Sequence, residues 1–381
     1  MNNGRITFNR PFSTGNELSY VAEAQRGLHL AGDGPFTKRC TDWIASQTGC
    51  AKPLLTHSCT GALEMAAILL DLKSGDEVIM PSYTFVSTAN AFVLRGARPV
   101  FVDIREDTLN LDENLIEAAI TPRTRAIVPV HYAGVACEMT RINEIAKRRG
   151  LKVVEDAAQG AMASYKGQAL GTLGDLGTLS FHETKNLISG EGGCLLVNDP
   201  TLASRAEIIR EKGTDRGRFF RGEVDKYTWQ DVGSSYLPSE IIAAFLWAQL
   251  QEAEVISANR MEIWENYNNL FEPLERRGIL RRPIVPEDCQ HNAHMFYVLL
   301  PSSFDRQTVL EAFTRAGVGA VFHYVPLHSS PAGIRYGRTH GDLALTASLS
   351  ERLVRLPLWI GLKLVHQQRV LNVIEQALGV T

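Results

Sequence analysis

From residue 53 onward, short and continuous apolar runs alternate with longer stretches whose apolar residues recur at helical spacing. The runs Pro53–Thr56, Glu77–Met80, Pro99–Asp103, Ala126–Val130 and Lys152–Asp156 have the length and the Val/Ile/Leu content of strands. The intervening stretches 60–72, 86–95, 112–120 and 138–149 read as helices. Two further apolar segments, 176–181 and 194–198, bring the predicted strands to seven. Strands that are apolar throughout are buried on both faces. The pattern therefore predicts an α/β fold, a mainly parallel seven-stranded sheet with helices on both sides. Ligands of such sheets bind beyond the C-terminal strand ends, so the residues there matter most.

The flanks read differently. Residues 1–36 are expected to be irregular, closing on Gly27, Gly32, Gly34 and Pro35, and 37–49 form a short helix. A single long helical stretch is expected over 239–272, capped by Ser239. Pro283 and Pro286 mark a linker. Beyond it lie a strand (294–300), a helix (305–316), a strand (318–325) and helices near 342–355 and 364–378. This divides the chain into a large domain, 1–250, with the N-terminal segment, and a smaller α+β domain, 251–381.

Composition removes several function classes. The 381 residues carry 39 basic and 42 acidic side chains, a net charge of -3, with no long basic run for a nucleic acid. Six scattered cysteines form no CxxC pair, so neither a metal site nor a disulfide framework is expected. No apolar run reaches transmembrane length, and Met1–Arg5 lacks the apolar core of a signal peptide. A reduced, cytoplasmic protein is expected.

The strand ends carry the candidate chemistry. Lys185 follows the run 176–181 and precedes Gly190, Gly192 and Gly193. An amine so placed suits a Schiff base with an aldehyde cofactor, although most lysines are surface charges. Ser58-Cys59-Thr60-Gly61 opens a helix; it is either a phosphate cradle or an ordinary N-cap. Phe85, after the second strand, could stack on a flat ring or pack in the core. Asp156 ends a buried run, where a carboxylate needs a partner such as a cationic ligand nitrogen; Gln159 lies one turn on. Together these parts meet the needs of pyridoxal 5'-phosphate. No GxGxxG follows a strand and no Walker motif is present, which disfavours a nucleotide-binding dehydrogenase.

Ser58-Cys59-Thr60, Pro81-Ser82-Tyr83-Thr84-Phe85, Val130-His131-Tyr132-Ala133-Gly134, Glu155-Asp156-Ala157-Ala158-Gln159, Ser180-Phe181-His182-Glu183-Thr184-Lys185-Asn186 and Phe322-His323-Tyr324 occur in that order. This set resembles the DegT/DnrJ/EryC1/StrS sugar aminotransferases, fold type I pyridoxal-phosphate enzymes, over nearly the whole chain. The resemblance implies that Lys185 attaches the cofactor and acts as the catalytic base. Asp156 would pair with the ring nitrogen and Gln159 with the ring hydroxyl. Cys59, Thr60 and Ser180 would hold the phosphate, and Phe85 would cover the ring. It further implies a homodimer with shared active sites, L-glutamate as amino donor and a dTDP-linked 4-keto sugar as acceptor. Arg218, Arg221 and Tyr227, with Tyr324 and His328, are the candidate sugar-nucleotide contacts. One departure stands out. Where much of the family has Gly-x-Asn-x-Arg, this chain has Gly233-Ser234-Ser235-Tyr236-Leu237, so Ser235 would have to replace the cross-subunit asparagine. A deoxysugar dehydratase on the same fold would have histidine in place of Lys185. A cofactor-dependent regulator would not need every one of these groups.

Overall fold

A computed structural model describes residues 4–380. The seven runs fold as β1 (Lys52–Thr56), β2 (Glu77–Pro81), β3 (Arg98–Val102), β4 (Thr124–Ile127), β5 (Lys152–Asp156), β6 (Leu176–Ser180) and β7 (Gly193–Val197). They form one sheet in the order β1-β7-β6-β5-β4-β2-β3. A two-residue strand from the C-terminal part, Arg338–Thr339, pairs with β3 and makes the sheet eight-stranded. Pairing is parallel except at β7, which runs antiparallel to both β1 and β6.

The apolar runs are buried on both faces because successive side chains point to opposite sides. Ile79, Val100, Val153 and Leu179 enter one core, whereas Val78, Phe101, Val154 and Leu176 enter the other. Each such side chain contributes about 1.5–3 kcal/mol by leaving water. The same alternation sends Glu155 and Asp156 to opposite faces at the end of β5.

The structure departs from expectation in four places. Residues 17–26, expected to be irregular, form a helix, Glu17–Arg26, packed on the helix Glu240–Gln251. Glu17, the first residue of this helix, ties it to the preceding turn and to the helix it packs on. The Glu17 carboxylate accepts from the Thr14 N–H at 2.7 Å and from Gln249 Nε2 at 2.7 Å. The expected long helix 239–272 is two, Glu240–Gln251 and Ala253–Arg276, broken at Glu252. The expected strand 318–325 makes only single bridges, Val318 to Ile6 and Val321 to Arg355. The expected helix 342–355 stops at Arg352, and Leu353–Leu356 forms a strand antiparallel to Phe296–Leu299.

The C-terminal part has its own core, which includes Tyr267, Phe271, Phe296, Phe313 and Ile374. Ile6 joins that core, and Trp359 Nε1 donates to the Thr7 carbonyl at 2.9 Å. The first described residues therefore pack on the C-terminal layer, not on the large sheet. The six cysteines are all free thiols. No helix is long and apolar enough to cross a membrane among the described residues.

Candidate active site

A cavity of about 630 Å³ opens at the C-terminal ends of the parallel strands, between the large sheet and the C-terminal part. Asp156, the last residue of β5, faces it and is 5% exposed. Its Oδ2 accepts from Thr88 Oγ1 at 2.7 Å, and its Oδ1 accepts from the Ala158 N–H at 3.1 Å. Thr84 in turn donates to Thr88 at 2.8 Å. These neutral donors orient the carboxylate but are not ion-pair partners. No ion pair to Asp156 exists among the described residues.

Lys185 lies on the turn between β6 and β7. That turn is closed by the Glu183 N–H to the Gly190 carbonyl at 2.9 Å and the Ser189 N–H to the Phe181 carbonyl at 2.7 Å. Gly190 sits at φ +80°, which a side chain would strain. The next residue, Asn186, anchors the turn: its Nδ2 donates to the Asn292 carbonyl at 2.7 Å. Its Oδ1 is therefore the acceptor for His294 Nδ1 at 3.0 Å, which fixes the His294 tautomer as Nδ1–H. Burial pushes the Lys185 ammonium below the usual lysine range; Cys59 and Asp156 oppose this, and the Arg355 charge adds to it. A larger fraction of its amine is thus neutral than on an exposed lysine, as a nucleophile or base needs.

The helix Cys59–Leu69 begins beside Lys185. Ser58 Oγ caps it by accepting the Gly61 N–H at 3.0 Å, so Ser58 serves the helix. The Cys59 and Thr60 N–H groups remain at the open helix start, a natural anion site. A β-carbon on Gly193 would lie 2.4 Å from the Cys59 nitrogen, so glycine lets β7 pass directly behind this helix start. The Cys59 thiol is pushed up to about 12, chiefly by burial, and is not a nucleophile here. Thr60 Oγ1 meets Ser87 Oγ at 2.8 Å, and Ser180 lines the same wall. Phe85 is 58% exposed on the cavity side, at the start of the helix Val86–Val93. Gln159 accepts the Ala133 N–H at 2.6 Å, and its Nε2 donates to the Tyr324 hydroxyl at 3.2 Å, leaving one amide hydrogen free. Burial raises the Tyr324 phenol well above its usual range.

Not every candidate reaches this cavity within one chain. Arg218 and Arg221 lie by a separate surface hollow and are paired with Glu223 and Glu207. Tyr227 packs edge-on against Phe219, with ring centroids 5.7 Å apart. Ser235 is exposed and bridges to Glu211. His328 lies outside the cavity wall. Its N–H donates to Ser82 Oγ at 2.9 Å, and that hydroxyl donates to its Nδ1 at 2.7 Å. Its observed contacts tie the loop after Pro326 to the end of β2.

Sequence reasoning missed Arg260, His294, His323 and Arg355, all of which line the cavity. Arg260, His294 and Arg355 belong to none of the quoted motifs, and His323 lies inside the run Phe322-His323-Tyr324 without having been singled out there. It also missed the pair behind the site. His131 Nε2 donates to Glu155 at 2.8 Å, and both side chains are fully buried.

The arrangement can hold a specific kind of ligand. Its anionic group would rest on the Cys59 and Thr60 N–H groups, its flat ring under Phe85, and its cationic ring nitrogen at Asp156. A carbonyl would then face the Lys185 amine. The buried Asp156 carboxylate, without an ion pair among the described residues, is the observation that such a ligand satisfies.

The comparisons with known proteins show the family. The model of the DegT/DnrJ/EryC1/StrS aminotransferase family matches residues 12–375. GDP-perosamine synthase of Caulobacter vibrioides is 33% identical over 378 residues, covering 98% of this chain and 98% of that protein. The spore coat polysaccharide biosynthesis protein SpsC of Bacillus subtilis is 32% identical over 362 residues, covering 93% of this chain and 92% of that one. The crystal structure of the aminotransferase TlmJ from Streptoalloteichus hindustanus is similar with a TM-score of 0.89 and 31% identity, covering 98% and 99% of the two chains.

Proposed function

The chain belongs to the DegT/DnrJ/EryC1/StrS aminotransferase family and is a pyridoxal-phosphate-dependent sugar aminotransferase; from that premise we propose its substrates. L-glutamate gives its amino group to dTDP-4-dehydro-6-deoxy-D-glucose. The products are 2-oxoglutarate and dTDP-4-amino-4,6-dideoxy-D-galactose, used in the cytoplasm for enterobacterial common antigen. The stretches 75–94 and 211–237 support this reading, since they resemble the transaminases that make that sugar. The observation that carries the chemistry is the buried Asp156, without an ion pair among the described residues, facing the same cavity as Lys185.

Pyridoxal phosphate, when bound, supplies an electron sink for the reacting carbon. The residues of the chain do the rest. Asp156 keeps the ring nitrogen protonated, and Thr88 and Ala158 hold its carboxylate in place. The Cys59 and Thr60 N–H groups bind the phosphate, and the free Gln159 amide hydrogen serves the ring hydroxyl. Lys185 attaches the cofactor, and its freed amine removes a proton from the amino donor and delivers one to the sugar carbon.

The active unit in this reading is a homodimer with shared sites. The five groups outside the cavity of one chain, Arg218, Arg221, Tyr227, Ser235 and His328, would then serve the nucleotide sugar or cofactor across the subunit boundary or support the wall. The test is a product assay with L-glutamate and a panel of dTDP-, GDP- and UDP-linked 4-keto and 3-keto sugars. The dTDP-linked 4-keto sugar is expected to turn over fastest and to yield the galacto-configured amine. Preference for a GDP- or UDP-linked sugar, or amination at C3, would refute it.

A further inference from the structure

Two arginines on the cavity wall form no ion pair among the described residues. Arg260, in the helix Ala253–Arg276, is 6% exposed. Its Nε donates to the Ala293 carbonyl at 3.2 Å and its Nη2 to the His294 carbonyl at 2.7 Å. Arg355, on the strand Leu353–Leu356, lies over the Phe8 ring, 5.0 Å from its centroid. Its Nη1 donates to His323 Nε2 at 3.3 Å, and its Nε is buried with no partner. Neither guanidinium meets a carboxylate among the described residues. Apart from Asp156, the acid on the cavity wall is Glu191, which is exposed and faces His182 at 3.6 Å.

The two cations also act on each other. Burial first, and then the Arg355 charge, push the Arg260 guanidinium down to about 9. Arg355 likewise works against charge on Lys185. Like charges facing one cavity are costly until an anion joins them. Arg260 has its donors directed at backbone carbonyls, which makes it a fixed background charge. Arg355 retains free donors in a planar fork, and the fork matches a carboxylate in two parallel hydrogen bonds.

We propose that Arg355 binds the carboxylate next to the reacting amine of the amino-acid donor, with Arg260 adding unneutralised positive charge behind it. The inference rests on the aminotransferase reading. The choice between the two substrates follows from their covalent structure. In an amino acid the carboxylate is attached to the carbon that loses its proton to Lys185. In a nucleotide sugar the diphosphate sits across the whole sugar ring from a 4-keto group. Arg355, whose charge is felt at Lys185, suits the nearer anion. In the second half of the reaction the site must take a neutral sugar ring, and Arg355 then contributes little to binding.

The test separates the two halves of the reaction on the holoenzyme. Loss of the visible cofactor band on adding L-glutamate reads the first half. Return of the band with the keto sugar that turns over fastest reads the second. Arg355→Gln is expected to weaken the first half by about 10- to 100-fold in kcat/KM, the size of a lost charge-assisted pair. The second half should stay close to wild type, which also shows that the variant is folded. Arg355→Lys, which keeps the charge without the fork, should fall between the two. Calorimetric binding of glutarate, a dicarboxylate that cannot react, should weaken in Arg355→Gln. A further control is 4-aminobutyrate, which lacks the adjacent carboxylate and should distinguish wild type from variant far less than glutamate does. Equal rates with glutamate in wild type and Arg355→Gln, or an equal loss in both halves, would overturn the proposal. A wild-type enzyme inert to L-glutamate but active with another amino acid would remove only the choice of donor, and Arg355 would be tested with that acid.

Discussion

Glu155 and Asp156 are neighbours on β5, and their surroundings could hardly differ more. Behind the strand, Glu155 accepts the N–H groups of Gly171, Leu173 and Gly174 at 2.9, 2.6 and 2.6 Å, along with His131. His131 Nδ1 in turn accepts the Cys137 N–H at 3.1 Å, which fixes the ring with its proton on Nε2. This carboxylate is saturated inside the fold and holds the loop 170–174 to the sheet. On the cavity side, Asp156 has only neutral hydrogen-bond donors and no ion pair among the described residues. The first carboxylate builds the wall, and the second is available to a ligand. Burial alone therefore does not distinguish structural from functional acids; what distinguishes them is whether their bonding capacity is already filled.

This contrast can be broken by experiment. On the cavity side, Lys185→Ala should abolish turnover while pyridoxamine phosphate still binds, with thermal stability retained. Measurable turnover would show that the lysine is not the base. Asp156→Asn, isosteric at the same strand end, should lower kcat by roughly 100- to 1,000-fold, since one preorganised charge is removed. Glu155→Gln should do the reverse. It should cost about 1.5–3 kcal/mol of stability, the worth of hydrogen bonds to a charged group, with turnover per folded molecule near wild type. Denaturant melts and active-site titration of both variants decide the matter. If Glu155→Gln lost activity without losing stability, the two sides of β5 would not be separable as drawn.

The smallest effect should come from the charged stretch 216–221. Arg221 meets Glu223 at 2.6 Å and Glu207 at 3.1 Å, with its side chain 47% exposed. Arg221→Ala should therefore shift stability by less than about 1 kcal/mol. In the shared-site dimer it should also raise KM for the nucleotide sugar without affecting the reaction with glutamate. An unchanged KM would mark Arg221 as a surface pair and remove it from the substrate site.

The sheet was legible because continuous Val/Ile/Leu runs have few other uses, and because strand alternation then places Asp156 without further information. The turn carrying Lys185 was legible through its glycines and its order in the chain. The helix at residues 17–26 was hidden because its apolar face is narrow. Leu18 is 79% exposed, and the segment is held as much by the buried Glu17 carboxylate as by packing. The stretch 318–325 has strand-like residues but no continuous partner edge. Arg355 and Arg260 could not be picked out, because an isolated arginine looks alike whether it is paired or not. The conspicuous arginines 216, 218 and 221 each have a carboxylate within hydrogen-bonding distance. Clustering in sequence made them visible, and in the fold each is already paired.

The N–H of Trp359 reaches back to the carbonyl of Thr7 across 352 residues of chain. Phe8 and Asn9 then line the cavity beside the residues near 355. On a ribosome adding about 5–20 residues per second, that contact waits roughly 20–70 s after Thr7 is made. The strands up to β7 can pair well before then, but the cavity cannot close. A nascent chain thus carries Lys185 and Asp156 at open strand ends until the residues near 355 have been made. Residues made long after the sheet are the ones that turn it into an enclosed site.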